Sequence, residues 1–244
     1  MKPLVPGTDK VESDFNPFAY LQEQGQADAE TAKDIPKDIR GDVYWAETSQ
    51  GHKVKVWTPS EDTRKKYPRT WSYFCHGFTF GTHCLPPLGY SPFSADAVKI
   101  ILADEHKLLP GQPENGFSWD ATHNEEKSSG NSGQNPNPER AQLKAFLNSE
   151  AISPGCVVTW EDKEGNIEHS ALLKDFNQAR GARTPGGTIL NSKNGSKELN
   201  QLHLSGVSAT YAKGNPPLTR FKFWTCCMAL NKEQASSGGG CSIS

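Results

Sequence analysis

The chain has 244 residues, 34% of them hydrophobic, and 26 basic against 28 acidic side chains leave a formal charge of -2. That content fills one core of ordinary domain size, and scattered lysines and arginines give neither a nucleic-acid surface nor a polybasic membrane patch. No apolar run is long enough to span a bilayer and the opening MKPLVPGTDKVESDF lacks a signal-peptide core, so the expectation is a soluble chain, cytoplasmic before any export by a specialised system.

Residues 1–40 are polar, with prolines at 3, 6, 17 and 36, and read as an N-terminal arm with one short helical stretch over 21–33. Residues 42–57 (DVYWAETSQGHKVKVW) alternate polar and apolar on either side of Ser49-Gln50-Gly51, the pattern of a β-hairpin with a glycine in its turn. Residues 97–109 (AVKIILADEHKLL) predict a helix, or a helix followed by a strand. Residues 111–138 carry QPENG and SSGNSGQNPNPE, hold little that can be buried, and read as a flexible insertion. Pro138-Glu139 then opens a helix, with proline in the first turn, where its missing N–H costs nothing.

Four strand patterns follow: 156–160 (CVVTW), 169–173 (HSALL), 188–190 (TIL) and 220–224 (RFKFW), with turn signals EDKEGN and GARTPGG among them. Short strands joined by hairpin turns after an earlier helix predict an α+β fold with a small antiparallel sheet. The expected domain covers residues 41–232, and 233–244 form a Gly/Ser tail.

Six cysteines, at 75, 84, 156, 226, 227 and 241, are too irregular for a disulfide framework. Most read as small buried hydrophobes in a reducing compartment. Cys75, His76, His83 and Cys84 lie close together without a second knuckle, the wrong spacing for zinc, and no metal or cofactor is expected.

Cys75, in WSYFCHGFTFG, stands apart. A nucleophilic thiol must be partly exposed and held as thiolate, which a helix N-terminus or a neighbouring imidazole achieves. Gly77 and Gly81 let the backbone approach closely and offer amides to an oxyanion, and Trp71, Tyr73, Phe74, Phe78 and Phe80 wall the segment. The competing reading is a structural cysteine in an aromatic core. In SPGCVVTWEDKEGNIEHSALL, a Pro-Gly turn feeds a strand, a charged turn follows, and the returning strand begins at His169, at the sheet's rim. A purely structural histidine is the alternative there.

Together these segments resemble the papain-like superfamily. The order is an aromatic-rich cysteine turn, then Pro-Gly-x-Val-Val-x-Trp, a turn, and His-small-aliphatic, most similar to the NlpC/P60 and CHAP branch of cysteine amidases and peptidases. Residues 189–195 (ILNSKNG) resemble both the Asn-Ser-Trp-Gly segment of papain-type enzymes and the Ser-Lys-x-Gly strand end of papain-fold bacterial toxin domains. The likeness covers residues 70–225. Cys156 departs from it, standing where that branch usually has aspartate.

The resemblance implies a nucleophile at a helix N-terminus packed on the small sheet, and a peptidase or amidase working through a thioester. It makes Cys75 the nucleophile and His169 the base, with Asn191 first and Ser192 second as the group that orients the imidazole; ILNSKNG also reads as an ordinary turn. His76, Gly77 and Ser192 would line the oxyanion or substrate site. Peptides or peptidoglycan are the implied substrates, and an effector role directed at other bacteria or at a host would bring a cognate inhibitor or immunity protein as partner. A protein deamidase or acyltransferase would need the same triad, and a module of another class would use the cleft only to hold a peptide. The final Cys241-Ser-Ile-Ser fits a prenylation box, the one route to a membrane, while the sequon at Asn194 is idle without secretion. His203, Asp42 and Asp120 are weaker candidates.

Overall fold

The computed structural model describes residues 22–26, 41–59, 74–80, 91–92, 95–122, 137–177, 183–193 and 199–225. It is an α+β protein, and the expected stretch 41–232 divides into two compact units. The first is built from described residues up to Lys107 together with 192–200, the second from 108–191 and 201–225.

In the first unit, alternation and a turn glycine produce the expected hairpin. Strands β2 (Gly41–Glu47) and β3 (Lys53–Pro59) pair antiparallel, with Tyr44 opposite Val56 and Ala46 opposite Val54. Between them Gly51 takes φ +83°, a conformation side chains disfavour. A short strand β4 (Ser91–Pro92) extends the sheet beyond β3. Helix α1 (Cys75–Thr79) precedes β4, and α2 (Ala95–Glu105) follows it, burying Ala97, Val98, Ile101 and Leu102 as one stripe. The C-terminal end of α2 holds the hairpin turn. Glu105 accepts from the Ser49 amide at 2.6 Å and from its hydroxyl at 2.9 Å, while His52 Nδ1 lies 2.9 Å from Asp104.

Two expectations are corrected. Within the helical stretch expected over 21–33, residues 22–26 form a strand, β1 (Gln22–Gln26), antiparallel to β2, and 27–33 lie outside the described residues. The sequence QEQGQ has no apolar stripe to bury and carries a helix-weakening glycine, whereas the open edge of the hairpin supplies ready hydrogen-bond partners. Nor is the stretch from 111 all insertion. Strand β5 (Phe117–Ser118) pairs with the last strand and runs into a 3-10 turn, Trp119–Thr122. Phe117 is completely buried, 5.5 Å from Phe146 and 5.8 Å from Phe221 between ring centroids. Gly116 makes this entry possible. At φ +73°, it passes so close to Phe221 that an added Cβ would sit 2.4 Å from that carbonyl oxygen. Residues 123–136 of the proposed insertion lie outside the described residues.

In the second unit, α3 (Pro138–Leu147) starts as predicted, with the Asn137 side chain accepting from the Glu139 amide at 3.0 Å. Strands β6 (Val157–Glu161), β7 (Ile167–Phe176), β8 (Thr188–Lys193), β9 (Leu199–His203) and β10 (Arg220–Trp224) join β5 in a six-stranded sheet of order β5-β10-β6-β7-β8-β9. Helix α4 (Leu204–Ala212) follows β9 directly. One apolar cluster joins Leu143, Phe146 and Leu147 of α3, Leu204 and Val207 of α4, and Val158, Trp160, Ala171, Leu173, Leu190, Phe221 and Phe223 of the sheet. No helix among the described residues is long and apolar enough to cross a membrane.

Candidate active site

Cys75 is the first residue of α1, preceded by Phe74 in extended conformation. Two aromatic contacts hold the helix in place. Phe74 stacks on Trp57 of β3, with centroids 5.3 Å apart and planes 13° apart, and at the other end Phe80 meets His106 edge-on at 5.8 Å. The first ladder bond runs from the Phe78 amide to the Phe74 carbonyl at 3.0 Å. The amides of Cys75, His76 and Gly77 therefore precede the helical ladder. Cys75 is 7% exposed, Gly77 is buried, and His76 is half-buried beside Phe80.

His169 is the third residue of β7, not its first, because the strand already begins at Ile167. Strand alternation puts its side chain on the face of Ala171 and Leu173. There the imidazole is 1% exposed, stacked 4.1 Å from the Tyr211 ring of α4 and 5.2 Å from Trp160, with which it is also paired across β6 and β7. Trp160 is fixed in turn by its indole N–H, which donates to the Ser208 hydroxyl at 3.1 Å. The histidine expected at the sheet's rim is thus clamped between aromatic rings, an arrangement that fixes ring orientation.

The segment read alternatively as a turn is strand as far as Lys193. Parity along β8 separates the two residues nominated to orient the imidazole. Asn191 shares a face with Ile189 and Lys193, whereas Leu190 lies in the cluster with Ala171 and Leu173 on the His169 face. Asn191 is half-buried in β8. Ser192 follows the parity of Leu190 and is fully buried.

Lys193 was not among the predicted site residues. Its side chain is 1% exposed, and it belongs to the same compact unit as Cys75. Burial lowers its ammonium from 10.5 to about 8, while Cys75 acts in the opposite sense by favouring the charge. A strand-like period through ILNSK was the available signal. It was obscured because a lysine before Asn-Gly ordinarily marks an exposed strand end.

Cys156 is 3% exposed within the apolar cluster, its sulfur 3.9 Å from the Ser153 hydroxyl. His203 is exposed at the end of β9, and Asp120 is exposed in the 3-10 turn. Cys75 and His76 show no metal-binding cluster with other described residues, and no group of three or more His, Cys, Asp or Glu suited to a metal occurs among them. His83, Cys84, Gly81, Asn194 and Cys241 lie outside the described residues. No family model matches the chain, and no match was found among curated proteins or solved structures.

Proposed function

We propose that the chain is a cysteine-dependent amide hydrolase of the papain-like kind, resembling NlpC/P60 and CHAP enzymes, with Cys75 as nucleophile and His169 as base. The observation that carries this reading is the contrast between its two described thiols. Cys75 leads a helix, with Phe74 stacked on Trp57 just ahead of it, whereas Cys156 is packed in apolar core. The chain order of Cys75, the His169 strand and the polar residues of β8 supports the same reading.

In this mechanism the Cys75 thiolate attacks the carbonyl carbon, and the negative charge passes to the carbonyl oxygen, received by amides at the start of α1. The imidazolium of His169 gives its proton to the leaving amine as the C–N bond breaks. Water then adds to the thioester with His169 accepting its proton, and the acid product leaves as the C–S bond breaks. Peptides and peptidoglycan are the proposed substrates, in an effector acting on other bacteria or on a host cell.

The test is incubation of the full chain with peptidoglycan and with a peptide-amide panel, followed by mass analysis. New amine and acid termini that vanish with Cys75→Ala support hydrolysis. Conversion of glutamine to glutamate without chain cleavage redirects the reading to a deamidase, and products that persist in Cys75→Ala overturn it.

A further inference from the structure

We infer that His106 is a positioning residue for Cys75: its buried ring holds the far end of the short helix that Cys75 opens, and Glu105 beside it ties that ring to the turn of the β2–β3 hairpin. This role rests on the reading of Cys75 as a nucleophile and adds to it what keeps the nucleophile in place.

Helix α1 spans five residues, and a helix that short does not hold together in water by its own ladder. Its sequence makes matters worse, because Gly77 weakens its middle and Phe74 ahead of it offers no side-chain cap. The bonds from the Phe78 amide to the Phe74 carbonyl, 3.0 Å, and from the Phe80 amide to the His76 carbonyl, 2.9 Å, close little more than one turn. The orientation of Cys75 is therefore set by what the two ends pack on. At the leading end Phe74 lies flat on Trp57, itself 4% exposed in β3. At the trailing end the fully buried Phe80 meets the His106 ring at 5.8 Å, planes 72° apart, an arrangement aromatic rings prefer.

His106 is itself held from behind. Its amide donates to the Leu102 carbonyl at 3.1 Å, so the ring is placed by the last bond of α2. Glu105, the residue before it, is fully buried, a position that a carboxylate tolerates only when hydrogen-bonded. It accepts from the Ser49 amide and hydroxyl, and Asp104 adds a second tie by accepting from the Thr48 hydroxyl at 2.5 Å. The turn so gripped leads directly into β3, the strand that carries Trp57. Both supports of α1 thus belong to one frame: β3 holds Phe74, and α2, fastened to the turn that begins β3, holds Phe80.

The test is iodoacetamide alkylation of the full chain near neutral pH, with Cys75 and Cys156 quantified in one peptide map. In His106→Ala, Cys75 is expected to label about tenfold more slowly, because the helix start that favours its thiolate is no longer held, while Cys156 in the second unit is unchanged. His106→Phe, which keeps a ring against Phe80, restores most of the rate. In amide hydrolysis by His106→Ala the loss falls on kcat. An unchanged Cys75 rate in folded His106→Ala, both cysteines labelling faster together, His106→Phe no better than His106→Ala, or a loss confined to KM overturns the inference. Should His106→Ala fail to fold, Ser49→Ala decides: a Cys75 rate about threefold lower with Cys156 unchanged supports the frame, and an unchanged rate overturns it. Amide hydrolysis that is insensitive to His106 leaves the hydrolase reading standing without this inference. His106-dependent labelling of Cys75 without any amide hydrolysis by wild type does the reverse.

Discussion

His169 and Tyr211 lie face to face, ring centroids 4.1 Å apart and planes inclined by 24°. The contact joins β7 to α4 and leaves the imidazole little rotational freedom. An isolated histidine of the same sequence context would sample several rotamers, so the stacking orients the ring, as the proposed base requires. Tyr211→Leu keeps apolar bulk and removes the ring. It is expected to cost about 1 kcal/mol in urea unfolding and to lower the amide hydrolysis rate by about tenfold or more. A variant with unchanged hydrolysis would mean that the ring stack is structural alone.

Gly116 tests the correction to the insertion. An alanine there needs a positive φ and puts Cβ 2.4 Å from the Phe221 carbonyl oxygen, which backbone cannot yield cheaply. Gly116→Ala is expected to destabilise by about 3 kcal/mol, a fall of about 6–12 °C in Tm for a chain of this size. Gly165→Ala, also at positive φ but with open space around its Cβ, should cost less.

Asp162 gives a pH signature. Burial alone would raise its pKa, but hydrogen bonds from the amide and side chain of Asn166 and from the amides of Glu164 and Gly165 outweigh it and hold the carboxyl below the usual aspartate value of 3.8. A depressed carboxylate contributes stability that is present above the unfolded pKa and lost as pH falls through the folded one. Wild type should therefore lose its advantage over Asp162→Asn as the pH drops below about 4, as read by thermal melts across that range.

Lys193 has the opposite chemistry, and its sign is worked out separately. Its folded pKa, about 8, lies below the 10.5 of an exposed lysine, so between those values the unfolded chain binds a proton that the folded chain does not. Folding stability therefore falls as pH drops from 10.5 to about 8 and stays reduced below that. Lys193→Met removes the penalty. Its stability relative to wild type should rise across that window by up to about 3 kcal/mol and be flat on either side, as measured by urea unfolding at a series of pH values.

Local rules made much of the fold legible. The hairpin at residues 42–57 followed from alternation around Gly51, and α3 followed from proline in its first turn, with Asn137 as its cap. What escaped reading depended on distant partners. Residues 22–26 became a strand because β2 presented an open edge, and Phe117 was buried because Gly116 could approach Phe221, neither of which a local pattern contains. At the site, the helix that Cys75 opens was implied by the family resemblance, while its aromatic and glycine neighbours marked only an unusual segment. Asn191 and Ser192 were named without knowing how far β8 extends, since a strand that runs to Lys193 is not marked by the turn-like residues at its end. Lys193 itself was hidden because the strand-like period through ILNSK is masked by a lysine before Asn-Gly, which ordinarily marks an exposed strand end.

The central claim is that Cys75 is an activated nucleophile dependent on His169. The most direct measurement is competitive iodoacetamide labelling of the full chain near neutral pH, with Cys75 and Cys156 quantified in one peptide map, in wild type and His169→Ala. The account predicts that Cys75 labels at least about tenfold faster than Cys156 and that His169→Ala removes most of the difference. Equal labelling of the two cysteines, or Cys75 labelling unaffected by His169→Ala, would contradict it.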